Sequence, residues 1–121
     1  MGTVLLVEDS LTESEMITQC LQKNGLSVVL AQSSEEAQEK LAVRQPDLIL
    51  LDIVLPGKSG FEFCRQLKKN PSTETIPVVM CSTKNTDADK MWGNMLGADA
   101  YLHKPIDQNL LVTTVQGLIK I

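Results

Sequence analysis

The sequence has few cysteines and no long apolar segment, and both absences narrow what the chain can be. Cys20, Cys64 and Cys81 are scattered, with no CxxC pair and no Cys/His cluster. The sequence therefore indicates neither a zinc site nor a redox pair, and the odd count predicts a reducing, cytoplasmic location. The longest apolar runs, such as 4–7 and 48–51, hold four residues. Because a membrane helix needs roughly 20, we expect no membrane insertion.

Basic residues are too few and too dispersed to form a nucleic-acid-binding surface. The chain has 121 residues, with 11 Lys and Arg against 15 Asp and Glu, and a formal net charge of −4. A net acidic chain without a basic cluster is a poor candidate for direct nucleic-acid binding. The length and the hydrophobic content of 43% are typical of one soluble domain, so we expect a single domain over residues 1–121.

Short apolar runs alternate with longer amphipathic stretches along the chain. The runs that predict strands are 4–7, 27–31, 48–51, 77–81 and 100–102. We predict helix caps at Ser10, Ser33, Ser59, Thr86 and Asp107, the first four as capping boxes with Glu13, Glu36, Glu62 and Asp89. Five βα units with continuously apolar strands predict an α/β fold, a parallel sheet covered by helices on both faces.

Polar side chains follow four of the predicted strands at the point where each strand ends. They are Glu8 and Asp9 after the first strand, Asp52 after the third, Ser82 and Thr83 after the fourth, and Lys104 after the fifth. In open parallel sheets, ligands bind beyond the carboxyl ends of the strands. These side chains are therefore expected to share one rim of the sheet.

Three carboxylates on one rim repel one another unless a cation neutralises them. Oxygen ligands without His or Cys favour a hard cation such as Mg²⁺, with Mn²⁺ as an alternative. A carboxylate beside such a cation can attack phosphorus, while Lys104 balances charge and Ser82 donates a hydrogen bond to a phosphoryl oxygen. Each residue alone could be a cap, turn or surface residue, but their joint occurrence on four strands predicts metal-assisted phosphoryl transfer to an Asp.

These residues stand in motifs that resemble the receiver domains of bacterial two-component response regulators, the CheY-like family. The motifs are Val7-Glu8-Asp9-Ser10, LDIVLPG at 51–57 with Ser59-Gly60, Ser82-Thr83, and Lys104-Pro105. The resemblance covers the whole chain. It implies a flavodoxin-like (βα)5 three-layer αβα sandwich with a parallel five-stranded sheet in the order 2-1-3-4-5.

The resemblance implies a phosphoacceptor and a Mg²⁺ site. Asp52 would accept the phosphoryl group, and Glu8, Asp9, Asp52 and the backbone carbonyl of Val54 would hold Mg²⁺. The acidic pair is Glu-Asp where Asp-Asp is commoner in the family, and the longer Glu8 can hold Mg²⁺ through water. Val54 and Lys84 occupy positions that tune dephosphorylation in the family.

The resemblance also implies a switch. Ser82 and Thr83 would contact the phosphoryl group, Tyr101 would rotate inward behind Ser82, and Lys104 would contact a phosphoryl oxygen. The peptide between Lys104 and Pro105 is often cis in this family, since only X-Pro bonds adopt cis at low cost.

A narrower resemblance is to the single-domain receivers of type IV pilus and twitching-motility pathways, the PilH-like group, with its cyanobacterial phototaxis relatives. It rests on Thr83-Lys84, DKMWG at 89–93, Gly97-Ala98 and Tyr101-Leu102. For a receiver domain in general, we expect a sensor histidine kinase as donor and an effector protein downstream, and we expect the chain to be a monomer or weak dimer. The partner face on the fourth helix, fifth strand and fifth helix would hold Met91, Trp92, Met95, Tyr101 and His103. Core packing of the Met and Trp residues is the alternative, and for His103 a solvated side chain.

Three other functions fit parts of the pattern. A degenerate receiver would act as a constitutive binding module, although Asp52, Ser82 and Lys104 are all present. A phosphatase with an aspartyl nucleophile commonly carries a second Asp two residues later, where this chain has Val54. A flavodoxin-like electron carrier would need a phosphate-binding loop after the first strand, and none is present. We therefore expect a signalling switch and not an enzyme.

Overall fold

Five strands and five helices alternate in the computed structural model, which describes residues 2–84 and 86–119. The strands are β1 (Thr3–Val7), β2 (Ser27–Ala31), β3 (Leu48–Asp52), β4 (Val78–Ser82) and β5 (Ala100–His103). The helices are α1 (Leu11–Lys23), α2 (Ser34–Val43), α3 (Gly60–Lys69), α4 (Asp87–Met95) and α5 (Gln108–Leu118). The five predicted βα units are confirmed. β3, β4 and β5 each extend one residue past the predicted end, so the last residue of each strand is polar.

The strands form one parallel sheet in the order β2-β1-β3-β4-β5, which confirms the prediction. In its register Val7 pairs with Leu51, Asp52 with Cys81, and Ser82 with His103. The carboxyl ends of four strands therefore meet at the same edge of the sheet. No helix among residues 2–84 and 86–119 has the length and apolar character needed to span a membrane.

Two apolar clusters cover the two faces of the sheet. One joins alternate residues of β1 and β3 to α1 and α5, through side chains such as Ile17 and Leu111. The other joins the intervening residues to α2 and α3, through side chains such as Leu41 and Phe63. β1, β3 and β4 are buried almost throughout, as continuously apolar runs predict. The edge strand β2 differs, because it lies partly open to solvent and its residues alternate in burial.

The three cysteines are buried and free, as core residues. Burial raises the pKa of the Cys64 thiol to about 11 and raises that of Cys81 still further. Both groups therefore stay protonated at neutral pH, and the thiolate needed for redox chemistry or metal binding is suppressed.

The predicted helix caps form, but three of the four predicted capping boxes do not. Ser10, Ser33 and Ser59 each accept a hydrogen bond from the backbone N–H three residues on, whereas only Thr86 and Asp89 complete a reciprocal box among these four pairs. At α1 the reason is local. The backbone N–H of Ser10 donates to Glu8 Oε2 at 3.1 Å, so it does not need the Glu13 carboxylate.

Candidate functional site

A cavity of about 200 Å³ opens where β1, β3, β4 and β5 end. Its lining comprises Glu8, Asp9, Ser10, Glu13, Asp52, Val54, Ser82, Thr83 and Lys104. The six side chains that were predicted to share one rim are all among them. Because parallel strands deliver their carboxyl ends to one edge, the sheet itself assembles this site.

The ammonium group of Lys104 lies at the centre of the site and contacts three carboxylates. Its Nζ is 2.5 Å from Glu8 Oε1, 2.8 Å from Glu13 Oε2 and 3.1 Å from Asp52 Oδ2. Lys104, Glu8 and Asp52 are buried, whereas the Glu13 side chain is 40% exposed. These four groups carry three formal negative charges against one positive charge, and Asp9 adds a further carboxylate to the lining of the cavity.

Glu13 is a site residue that the sequence does not predict. Its position three residues after the Ser10 cap predicts a role in a capping box. The structure places Glu13 in the first turn of α1, directly beyond the end of β1, with its carboxylate on Lys104. The available signal was that the first turn of a helix that follows a site-forming strand also faces the site.

The carboxylates fit a hard divalent cation. Glu8, Glu13 and Asp52 each place one oxygen within 4.8 Å of the others, and clustered carboxylate oxygens are the ligands that Mg²⁺ prefers. Asp9 lines the cavity, but it is exposed and does not belong to this group of three carboxylates. The third member of the group is Glu13. The backbone N–H of Val54 donates to Asp52 Oδ1 at 3.2 Å, which fixes the orientation of that carboxylate.

Burial and charge act against each other on the ionisable groups. Burial raises the pKa of Glu8 to about 7, and the charge of Asp52 adds to this rise, while hydrogen bonds from Lys104 and from the Ser10 backbone oppose it. Burial alone would lower the pKa of Lys104. Its hydrogen bonds to Glu13 and Glu8 and the charge of Asp52 prevail, so that the pKa rises above its usual value. The ammonium therefore stays charged at neutral pH.

Ser82 and Tyr101 are connected through the backbone of Lys84. The buried Ser82 Oγ accepts a hydrogen bond from the Lys84 N–H at 3.2 Å, and the Tyr101 hydroxyl donates to the Lys84 carbonyl. A displacement of Ser82 would therefore reach Tyr101 through a single residue. Thr83 lies beside them and is exposed.

We expect the Tyr101 hydroxyl to lose its proton at a pH well above the value that is usual for tyrosine. Burial raises the pKa of Tyr101 to about 12, and the charge of Asp89 acts in the same direction. Because the folded protein favours the protonated phenol, this group stabilises the fold below pH about 10 and loses that contribution as the pH rises through about 12. Tyr101 is the only tyrosine in the chain, so tyrosinate absorbance during a pH titration reports on it alone. A midpoint equal to that of the chain in denaturant would contradict the prediction.

Most of the predicted partner face is exposed, whereas its Tyr101 is half-buried and packs against the core cluster under α2 and α3. Met91, Trp92 and Met95 of α4 are 64%, 48% and 71% exposed, which excludes core packing for this cluster. The buried residue of the helix is Gly93, where an added Cβ would lie 2.9 Å from Met80 Sδ. α4 thus contacts the sheet through a glycine, which leaves its large apolar side chains in solvent. His103 is also exposed, and the peptide between Lys104 and Pro105 is cis as expected.

Residues 4–116 match the family model described as the response regulator receiver domain. The chain belongs to this family. Membership of this family agrees with the fold and the strand order described above, and with the carboxylates at the carboxyl ends of the strands.

Curated and structural relatives agree with this assignment. The receiver domain is 39% identical over 119 residues to protein PilH of Pseudomonas aeruginosa, with 98% of each chain covered, which supports the PilH-like group. Its backbone superposes on a candidate response regulator from Chloroflexus aurantiacus with a TM-score of 0.94, at 33% identity and coverage of 98% and 97%. It also superposes on the chemotaxis response regulator CheY4 of Vibrio cholerae with a TM-score of 0.90, at 30% identity and 98% coverage of each chain.

Proposed function

We propose that this receiver domain accepts a phosphoryl group on Asp52 from the phosphohistidine of a sensor histidine kinase. The observation that carries the proposal is the position of the Asp52 carboxylate. It is buried at the end of β3, it contacts Lys104 at 3.1 Å, and it lines a cavity open to solvent. A carboxylate in such a place is accessible to a donor while its charge partner is already positioned.

The acidic cavity is proposed to hold Mg²⁺, with Mn²⁺ as a substitute. Glu8, Asp9, Asp52 and the carbonyl of Val54 are the proposed ligands, Glu8 through water if its longer side chain requires it. When bound, the cation shields the negative charge of the donor's phosphoryl oxygens from the carboxylates. Support comes from the oxygen-only donor set and from the excess of carboxylates over ammonium groups in the cavity.

In the transfer, an oxygen of Asp52 forms a bond to phosphorus as the N–P bond of the phosphohistidine breaks. The histidine leaves with the electron pair as neutral imidazole, because its other ring nitrogen carries a proton, and no oxidant is required. Lys104 then donates to a phosphoryl oxygen, and Ser82 can donate its hydroxyl hydrogen to another. The protein's contribution is therefore positioning and charge stabilisation, as in other phosphoryl transfers.

The phosphoryl group adds about −1.5 to −2 charges to the site, and this change is proposed to operate the switch. If Ser82 moves toward the phosphoryl group, its bond with the Lys84 N–H changes, and with it the position of the Tyr101 hydroxyl. Tyr101 adjoins α4, where Met91, Trp92 and Met95 are exposed. Phosphorylation would bias a pre-existing equilibrium at this face, and a downstream protein would bind one of its two states.

The similarity to PilH supports a place in motility or taxis signalling for this chain. We propose that it acts as a stand-alone regulator in the cytoplasm, where its buried thiols stay reduced, as a monomer or weak dimer. In that role it transmits a signal through a partner protein and turns over no substrate of its own.

Asp52→Asn should abolish labelling by a radiolabelled small-molecule phosphodonor in the presence of Mg²⁺. The amide has the same shape as the carboxylate but is not nucleophilic. Asp47→Asn is the matched control, because Asp47 is exposed at the opposite end of β3 and accepts a hydrogen bond from the Thr3 N–H. Labelling should persist in this control and disappear from wild type when the metal is chelated. Undiminished labelling of Asp52→Asn would exclude Asp52 as the acceptor.

A further inference from the structure

The donor capacity of the Lys104 ammonium is fully used in the resting protein. An ammonium group has three hydrogens to donate, and Lys104 spends them on Glu8, Glu13 and Asp52 at 2.5, 2.8 and 3.1 Å. A phosphoryl oxygen on Asp52 would therefore find no free donor on Lys104. One of the three carboxylates has to give way before Lys104 can contact that oxygen.

The three carboxylates differ in how readily they can leave. The Glu8 side chain is 1% exposed, and its second oxygen also accepts from the Ser10 N–H. Asp52 is held by the Val54 N–H and itself carries the phosphoryl group. The Glu13 side chain is 40% exposed, and among the described residues its carboxylate is bound by Lys104. Glu13 is thus the carboxylate that can return to water at the lowest cost.

We infer that Glu13 is a positioning residue that competes with the phosphoryl group for Lys104. Its carboxylate holds the ammonium in the resting state, and phosphorylation of Asp52 displaces it, so that one charge-assisted hydrogen bond replaces another. The displaced side chain stays in the first turn of α1, where the helix dipole favours a negative charge. The inference rests on the proposed function, because it assumes a phosphoryl group on Asp52. Because the Glu13 carboxylate has to be displaced first, Glu13 weakens the net interaction between the phosphoryl group and Lys104.

The first test needs no ligand. The unfolding free energy of metal-free protein is measured in urea for wild type, Glu13→Gln, Lys104→Met and the double variant. The effect of Glu13→Gln should be more destabilising with Lys104 present than in the Lys104→Met background, because the substitution then breaks an ion pair. Equal effects in the two backgrounds would show that the pair is absent in solution and would overturn the inference.

The second test uses beryllofluoride as the phosphoryl mimic, with Mg²⁺ in excess and binding followed by fluorine NMR. Glu13→Gln should bind the mimic about threefold to tenfold more tightly than wild type, since the competitor for Lys104 is weakened. Glu15→Gln is the matched control. Glu15 is exposed on the same helix, and its substitution removes the same charge without touching Lys104, so its affinity should match that of wild type.

The outcomes separate this inference from the proposed function. Wild type that fails to bind beryllofluoride with Mg²⁺ would overturn both. Wild type that binds it, with Glu13→Gln unchanged, would overturn the competition alone. Weaker binding by Glu13→Gln would also overturn it and would identify Glu13 as a ligand of the cation. If Glu15→Gln raised the affinity for beryllofluoride as much as Glu13→Gln does, the change in net charge would explain the effect. That result would contradict a specific role for Glu13.

Discussion

Gly60→Ala should destabilise the protein by about 3 kcal/mol or more and disturb the site at the same time. Gly60 is the first residue of α3, and its N–H donates to the Ile53 carbonyl at 2.8 Å. A Cβ on Gly60 would lie 2.2 Å from the carbonyl oxygen of Asp52 and 2.7 Å from the Ile53 Cα. Both atoms belong to the backbone, which cannot rotate away as a side chain can. The helix would have to withdraw from the end of β3, which carries the proposed phosphoacceptor Asp52.

The matched control for this substitution is Gly117→Ala in α5. A Cβ there would meet nothing within 4 Å, and alanine is favoured over glycine inside a helix by about 1 kcal/mol. Gly117→Ala should therefore leave stability unchanged or raise it, and phosphodonor labelling should match wild type. Urea unfolding of both variants measures the contrast. Equal stability of the two variants would contradict the close approach of α3 to Asp52.

Lys104→Met should cost about 3 kcal/mol of stability at neutral pH in metal-free protein. Methionine keeps the length and the apolar stem of the side chain but removes the ammonium that neutralises Glu8, Glu13 and Asp52. Two of these carboxylates are buried, and a buried charge without a partner is expensive. The loss comes from this desolvation and from mutual repulsion, and not from a cavity. Lys69→Met, an exposed substitution at the end of α3, should change stability by less than about 0.5 kcal/mol.

The loss of stability that Lys104→Met causes should become smaller as the pH falls. Burial raises the pKa of Glu8 from 4.5 to about 7 in the folded protein. A raised carboxyl pKa means that the folded state binds the proton more tightly than the unfolded state. Protonated Glu8 therefore contributes to the stability of the folded protein below pH 4.5, and this contribution is lost as the pH rises through about 7. Without Lys104 this dependence should steepen. Urea unfolding across this range, without metal, measures it, and a loss independent of pH would contradict the charge explanation.

The fold could be predicted closely because its determinants are local and repeated. Each strand is a short apolar run and each helix begins at a residue whose side chain caps it, so alternation alone indicates a parallel α/β sheet. A polar residue after an apolar run predicts that the strand has ended, yet β3 and β4 each continue through one such residue, Asp52 and Ser82. β3 and β4 end in polar residues because Asp52 and Ser82 line the site.

The site was predicted in outline, and the parts that were missed depend on distant contacts. Lys104 meets Glu13 across 91 positions of sequence, so the capping motif that begins at Ser10 does not show which distant group the Glu13 carboxylate contacts. Likewise, the helical spacing of Met91, Trp92 and Met95 fits a core face as well as a surface. Only the contact of Gly93 with the sheet decides that these three side chains are exposed.

The most direct test of the central claim is to locate the phosphoryl group after wild-type protein reacts with a phosphodonor and Mg²⁺. Peptide mass spectrometry, performed before the labile acyl phosphate hydrolyses, should place one phosphoryl group on the peptide that contains Asp52. Treatment with hydroxylamine, which cleaves acyl phosphates, should remove it. A phosphoryl group mapped to Glu8, Asp9 or His103, or protein that stays unmodified under these conditions, would contradict the assignment of Asp52 as the phosphoacceptor.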